Sequence, residues 1–535
     1  MGLQQINLTD YDTVVAVTER ALNVALDGWL LQQEPQVALY YTTDSNGNYV
    51  EATAETATIV FTGTLAPTLD PTTRQPIDLI TLYTEAGPQM VQYNATFQNG
   101  VFSASQLGIH LVQGSTPWVM QFEVQLALQA TTIDALPANV QTQIQTEVEN
   151  LGPDMFSIQQ LWVDLNTAAL ASFEGLDGLS ALGSAIVEGV MKQYLLQQQA
   201  AAAMVFGYAA QFTGGTALAP TFMPTALNFC VTPYSPQTST SAPLDTLNYL
   251  VMVQGNPLPA YPPTSFGFNF VDDITVSGAI AIRHDFIIGQ VVSELNGILQ
   301  TISPVLQADA HADGDDGAIY VNPGQPATFT VLPSPSGSVV ATYSYAPAAV
   351  SDEVGFFGGS TGVSAQYAST CQVQVGVNGA GAASPSTVLV SGTATFSGDI
   401  QSSTMGGGQD TTIPDTTYSW FAELLVQADL ANNGQLDLVL GNTDFTSPPV
   451  VTGKPPDGWD RFLSGLAGQV QNYATGMTQL RAAVETQVVD NILGALQGSL
   501  ASANHFVFPG AQTFLFANPQ FAPSDDLAAN ITYTA

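Results

Sequence analysis

Apolar side chains at Tyr11, Val14, Val15, Leu22, Leu26, Trp29 and Leu30 recur at nearly helical spacing behind the capping candidates Thr9 and Asp10, and Pro35 closes the run. This pattern predicts an amphipathic helix from about residue 10 to 31. From about Val37 to Leu128 the period changes to short alternating runs rich in Val, Ile, Thr, Tyr and Phe. Asn46-Gly47-Asn48, Pro67, Pro71, Gly87-Pro88 and Asn99-Gly100 punctuate them, which reads as antiparallel strands and hairpins. A second helical zone follows Asp177-Gly178 and carries Ile186, Val190 and Tyr194 into a run of glutamine and alanine. Strands are expected again around Phe229–Val231 and Leu247–Val253, then a helix over Phe286–Leu306 with Ile287, Val291, Leu295 and Leu299 on one side.

Gly, Ser and Thr dominate from about Gly314 to Gly408, where alternation at Thr328–Val331, Gln372–Val377 and Thr387–Phe396 predicts further strands. The longest predicted helix runs from about Trp459 to Leu500, with Leu466, Val470, Val484 and Val488 on its apolar stripe. Short strands at His505–Phe508, Gln512–Phe516 and Ile531–Tyr533 end the chain. Helices at the start, middle and end, with blocks of antiparallel strands between, predict an α+β fold built on long amphipathic helices. Two halves are expected, residues 1–260 and 261–535, each with helices and strands, or one continuous unit made of both. No repeat of 20–50 residues points to a solenoid or propeller.

Charge sharpens this picture. The 535 residues hold 7 Lys and Arg against 44 Asp and Glu, a formal charge of −37, although charged residues are only 10% of the chain. Cations are missing rather than anions added; the two lysines are Lys192 and Lys454. Such a field repels nucleic acid, so no nucleic-acid partner is expected. A mean hydropathy of +0.18 and a 45% hydrophobic share describe a foldable chain. No uninterrupted apolar run of about 18 residues predicts a transmembrane helix. The opening Met1-Gly-Leu-Gln-Gln-Ile-Asn lacks the features of a secretory signal, so the expected location is the cytoplasm, or outside the cell after lysis or non-classical export. Cys230 and Cys371 are expected to be free and buried.

Catalytic signals are poor. His110, His284, His311 and His505 are far apart, and none sits in a zinc-binding pair. Neither lysine follows a phosphate-binding glycine loop, and no Gly-x-Ser-x-Gly elbow is present. Asp309, Asp313, Asp315 and Asp316 surround His311 in what reads as a solvated loop; a calcium site there would place Gly324 where a bidentate glutamate belongs. No cofactor, no metal and no enzymatic activity are expected. Paired carboxylates of a glycoside hydrolase are the remaining catalytic alternative, without a motif to carry it.

Several segments resemble the clostridial P-47 proteins, members of the tubular lipid-binding superfamily encoded beside botulinum-type neurotoxins. These are Tyr11-Asp12-Thr13-Val14-Val15 with Leu22-Asn23, the stretch Phe156 to Asn166, Leu244-Asp245-Thr246-Leu247-Asn248-Tyr249-Leu250, and the ending His505 to Gly510 with Thr513-Phe514, Leu527 and Ile531-Thr532-Tyr533. The resemblance implies highly curved antiparallel sheets wrapped around long helices, with an elongated apolar groove between them. It further implies a non-enzymatic protein that binds a lipid or other apolar molecule and serves as an accessory of a toxin complex. The groove would be lined by Val15, Leu22, Leu26 and Trp29 of the first helix and Leu466, Val470, Val484 and Val488 of the last. Asp164 would be structural, holding a strand end or turn. The relatives are lysine-rich and this chain is not, which removes the cations that an anionic phosphoinositide headgroup would need. The alternative is a structural or interaction protein of the same fold, with a closed core and no ligand, acting in a secreted toxin complex.

Overall fold

A computed structural model describes residues 3–533 apart from 68–76, 83–86, 148–155, 176–178, 201–204, 214–223, 236–243, 297–305, 324–329, 430–434, 445–449, 452–505, 508–513 and isolated shorter gaps. The chain begins with a strand, not a helix. Thr13–Thr18 is extended and every residue in it is buried; only then does helix α1, Glu19–Gln33, begin. The run Thr-Val-Val-Ala-Val-Thr is β-branched at five of six positions, which disfavours helix and suits a pleated surface. The helix is capped from inside the expected span: the Thr18 hydroxyl accepts the Ala21 N–H at 3.2 Å.

Thr13–Thr18 is central in a six-stranded antiparallel sheet of order Pro224–Thr232, Thr246–Val253, Thr13–Thr18, Gly278–Ile282, Leu527–Tyr533, Phe514–Phe521. This sheet draws strands from both sides of residue 260. Val15 pairs with Tyr249 and Ile280 and points into the main core, while Val14 pairs with Leu250 and Ala281 on the opposite face. That second face is covered by Leu3, Ile6 and Leu8 and by an aromatic group in which Phe266 and Phe270 lie 5.0 Å apart edge-to-face. Burial on both faces is why these strands read as unbroken apolar runs without alternation.

A ten-stranded antiparallel sheet follows the path Phe506–Val507, Val205–Phe212, Phe156–Glu174, Trp118–Thr131, Met90–Ala104, Ile59–Leu65, Gln36–Thr43, Tyr49–Glu51; Ile80–Thr81 and Ile109–Val112 also pair with Met90–Ala104. Helix α3, Ala181–Ala200, touches both Phe156–Glu174 and Gln36–Thr43. Three strands separate those two, roughly 19 Å in a flat sheet at the usual strand spacing. At 1.5 Å per residue the 20 residues of α3 run about 30 Å, enough to reach both, and one sheet of the molecule is curled into a half-barrel. Two register shifts between Trp118–Thr131 and Phe156–Glu174, and one each within Ile59–Leu65 and Val205–Phe212, supply bends. Asn99-Gly100, expected as a turn, lies inside Met90–Ala104 next to such a shift, with Asn99 at φ 55°. Asn46-Gly47-Asn48 is the expected hairpin turn, with Asp44 accepting the Asn46 and Asn48 N–H groups at 2.8 Å.

The third sheet has eight strands, with a path from Thr330–Ser336 through Val339–Tyr345, Gly359–Val377, Ala383–Thr404 and Gly407–Asp429 to Gln435–Asp444. Its inner face joins the main core through Val373, Val390, Ala422 and Leu424, and Phe514–Phe521 packs against it. Helix α2, Ala138–Glu147, places Val140 and Ile144 in a smaller cluster with Ile158 and Tyr208.

The expected α+β architecture of long amphipathic helices is therefore corrected. Antiparallel strands make up most of the described chain, one sheet curls into a half-barrel, and the helices are short. The helix expected over Phe286–Leu306 starts at His284, and strand structure has begun by Leu306. The long helix expected from Trp459 to Leu500 lies outside the described residues. Among those described, no helix is long and apolar enough to cross a membrane.

Candidate functional site

The polar residues in and beside the recognisable segments are buried and hydrogen-bonded. Asp12 is fully buried: its carboxylate accepts the Val253 N–H and the Asn256 amide, each at 2.9 Å, and pairs with Arg283 at 3.1 Å. Glu19 accepts the Leu82 N–H at 2.6 Å, and burial pushes its carboxyl well above the ordinary range. Asn23 accepts the Ile80 N–H at 2.9 Å and donates to the Ile80 carbonyl at 2.7 Å, as a strand partner would. Asp245 accepts the Tyr234 N–H at 2.8 Å, and Asn248 donates to the Thr232 hydroxyl at 2.8 Å. Asp526 accepts the Leu8 and His284 N–H groups at 2.7 and 3.0 Å. These groups are occupied by backbone and hold loops to strands. Asp164 lies within Phe156–Glu174 beside a register shift, where its carbonyl accepts the Thr167 hydroxyl at 2.7 Å.

Beside these groups, the main core forms an apolar layer. Val15, Leu22 and Leu26 are buried in the same core as Val187, Val190, Met191, Tyr194 and Leu195 of α3 and as Phe61, Tyr93 and Phe122 of the curled sheet. Trp29 is on α1; Leu466, Val470, Val484 and Val488 lie outside the described residues. The unusual member is Tyr93. Its side chain is fully buried, its ring is stacked on Phe122 at 6.4 Å, and its hydroxyl has no hydrogen-bond partner among the described residues. Burial, with Tyr194 adding, holds that phenol well above its usual value, and burial lifts Tyr194 to about 12. Sequence reasoning passed over Tyr93, although the alternation Val91, Tyr93, Ala95, Phe97 already marks one inward face of its strand.

A second concavity, of about 420 Å³, lies on the eight-stranded sheet and is lined mainly by amides and hydroxyls. The other candidates for chemistry fall apart in space. His110 meets the exposed Ser103 hydroxyl, and His284 pairs with Asp526. Asp309 and Asp313 lie in the strand Leu306–Asp313, paired with Asp316–Pro323 so that Asp313 is opposite Asp316, rather than in the expected loop; Asp315 lies outside the described residues. No cluster of metal-binding side chains occurs among the described residues. Cys230 and Cys371 are free and buried, and burial raises the Cys230 thiol to about 12.

No family model matches the chain, and no curated protein matches it. The chain is similar to P47. It is 10% identical to P47 from Clostridium botulinum A2 over 98% of this chain and 97% of that one, with a TM-score of 0.46. P47 of Clostridium botulinum E1 is 9% identical over 98% and 99%, at 0.43. A lipopolysaccharide-binding protein is 9% identical over 98% and 99%, at 0.26. The resemblance read in the sequence segments thus recurs among solved structures; at these scores it carries nothing about ligand, partner or site.

Proposed function

We propose that this is a non-enzymatic binding protein that holds a lipid or other apolar molecule between α1, α3 and the curled sheet. The observation that supports the reading most is the Tyr93 hydroxyl, fully buried in an apolar layer with no partner among the described residues. A buried hydroxyl without a partner costs about 1–3 kcal/mol, and an acceptor on a bound molecule would offset that cost. The P-47 resemblance adds an accessory part in a bacterial toxin cluster to the proposal. The low exposure of Val15, Leu22 and Leu26 favours the second reading, a closed core that acts through its surface.

Native mass spectrometry of protein purified without detergent, then incubated with neutral lipid vesicles, separates the two. Ligand binding gives a discrete added mass that Tyr93→Phe weakens. A clean polypeptide mass throughout, with Tyr93→Phe neutral or stabilising, is the closed-core outcome and ends the ligand proposal.

A further inference from the structure

Directly paired residues of antiparallel strands share a face, so Gln372, Ser391, Phe421 and Asp444 form one rung across four strands of the eight-stranded sheet. Their neighbours Val373, Val390 and Ala422 face the core, which puts this rung on the outer side. The rung lies in the 420 Å³ concavity, a size typical of small-molecule sites.

The site is built rather than incidental. The buried Glu423 carboxylate accepts the Gly379 N–H at 2.8 Å and the Asn442 side-chain amide at 2.9 Å, tying a turn and a neighbouring strand to one rim. Gly379 rests on the Phe421 ring, where a Cβ would collide with it. On the floor, Gln372 donates to Gln374 and Gln374 to the Ser338 hydroxyl, both at 3.0 Å, which fixes the orientation of both amides.

The lining selects its ligand by chemistry. Among the described residues it contains no cation, so a phosphate, sulfate or carboxylate would go unpaired. An apolar molecule would strip water from amides and hydroxyls and return no hydrogen bonds. Neighbouring sugar hydroxyls both donate and accept, as do amide and hydroxyl side chains, and a half-buried phenyl ring suits the C–H face of a pyranose. We propose that this pocket binds a neutral sugar, with Gln372, Ser391, Thr393 and Asp444 meeting its hydroxyls and Phe421 beside its ring. A free oligosaccharide and a neutral glycolipid headgroup share this chemistry. The site is separate from the apolar interior.

The test uses the full chain on an array of neutral oligosaccharides ending in galactose, glucose, mannose or N-acetylglucosamine, with sialylated and sulfated counterparts. Calorimetric titration of the neutral hits and flotation with vesicles carrying a galactosyl lipid then distinguish the two sources. Expected results are binding by at least one neutral terminus, about a tenfold affinity loss in Gln372→Ala, and loss of binding in Ser391→Leu, which fills the floor. Tyr93→Phe should leave sugar binding unchanged. Absence of neutral-glycan binding at millimolar concentration overturns the proposal, as does preference for the anionic members. So does binding that survives both pocket substitutions, or survives Gln372→Ala alone should Ser391→Leu fail to fold.

Discussion

Asp12 illustrates how a recognisable residue earns its place through backbone chemistry. Burial raises its carboxyl, while the Val253 N–H, Asn256 and Arg283 pull it back down. Asp12→Ala would strand Arg283 and the Val253 N–H together. Equilibrium denaturation should show a loss of about 3–5 kcal/mol, with Asp12→Asn milder because one acceptor remains. Asp27 is raised further because less opposes its burial: one of its buried oxygens has no hydrogen-bond partner among the described residues, and burial, then Asp78, lifts its carboxyl to about 6. Asp27→Asn should therefore raise the melting temperature at pH 8, where the wild-type charge is unfavourable, and the gain should shrink towards pH 5. An equal gain at both pH values would detach the effect from ionisation.

Among the elements, α1 depends on the Asn23 amide as much as on its apolar stripe. Asn23 takes both polar groups of Ile80 in the short strand Ile80–Thr81. Asn23→Ala should cost about 2–3 kcal/mol by leaving two buried backbone groups unpaired, with the earliest rise in amide exchange at residues 80–82. Leu22→Asp, which puts a charge into the main core, should cost several kcal/mol and is read by the same denaturation. In this region the hydrophobic pattern was partly legible. The stripe Leu22, Leu26 belongs to a helix, but Val14 and Val15 belong to a strand whose two valines face different cores. Any consecutive apolar run fits both periods, and coverage of the second face by residues distant in sequence decides between them.

At the scale of the molecule, several half-buried titratable groups point one way. Asp525 is raised to about 6 chiefly by burial, Asp27 likewise, and His284 is raised by its bond to Asp526. Each group holds its proton more tightly folded than unfolded. The aspartates' contribution is complete below about 3.8 and is lost as pH rises through about 6; that of His284 is complete below its ordinary 6.5 and is lost as pH rises through its raised folded value. The melting temperature should fall between pH 5 and pH 8, and a calorimetric rise over that interval would contradict the assignment. The same charge pattern governs lipid choice. Arg283 is engaged with Asp12 and Asp285, and Arg20 donates to the Ile274 carbonyl. Flotation should show no salt-sensitive binding to phosphoinositide vesicles, since a net −37 opposes their approach within a screening length of about 8 Å.

Composition and pattern by themselves determined the strand-rich stretch from Val37 to Leu128, helix α3 after Asp177-Gly178, the strands at Phe229 and Leu247, and the buried free cysteines. These are local decisions, settled by alternation, by a helical stripe or by a cysteine pair too few to staple the fold. Tertiary structure alone decided that Thr13–Thr18 is a strand, that α3 packs across strands far apart in the ten-stranded sheet, and that the Tyr93 hydroxyl is buried with no partner among the described residues. It also decided that Gln372, Ser391, Phe421 and Asp444, up to 72 positions apart, share one rung. Register and curvature arise from pairings between distant segments, and no window along the chain contains both partners.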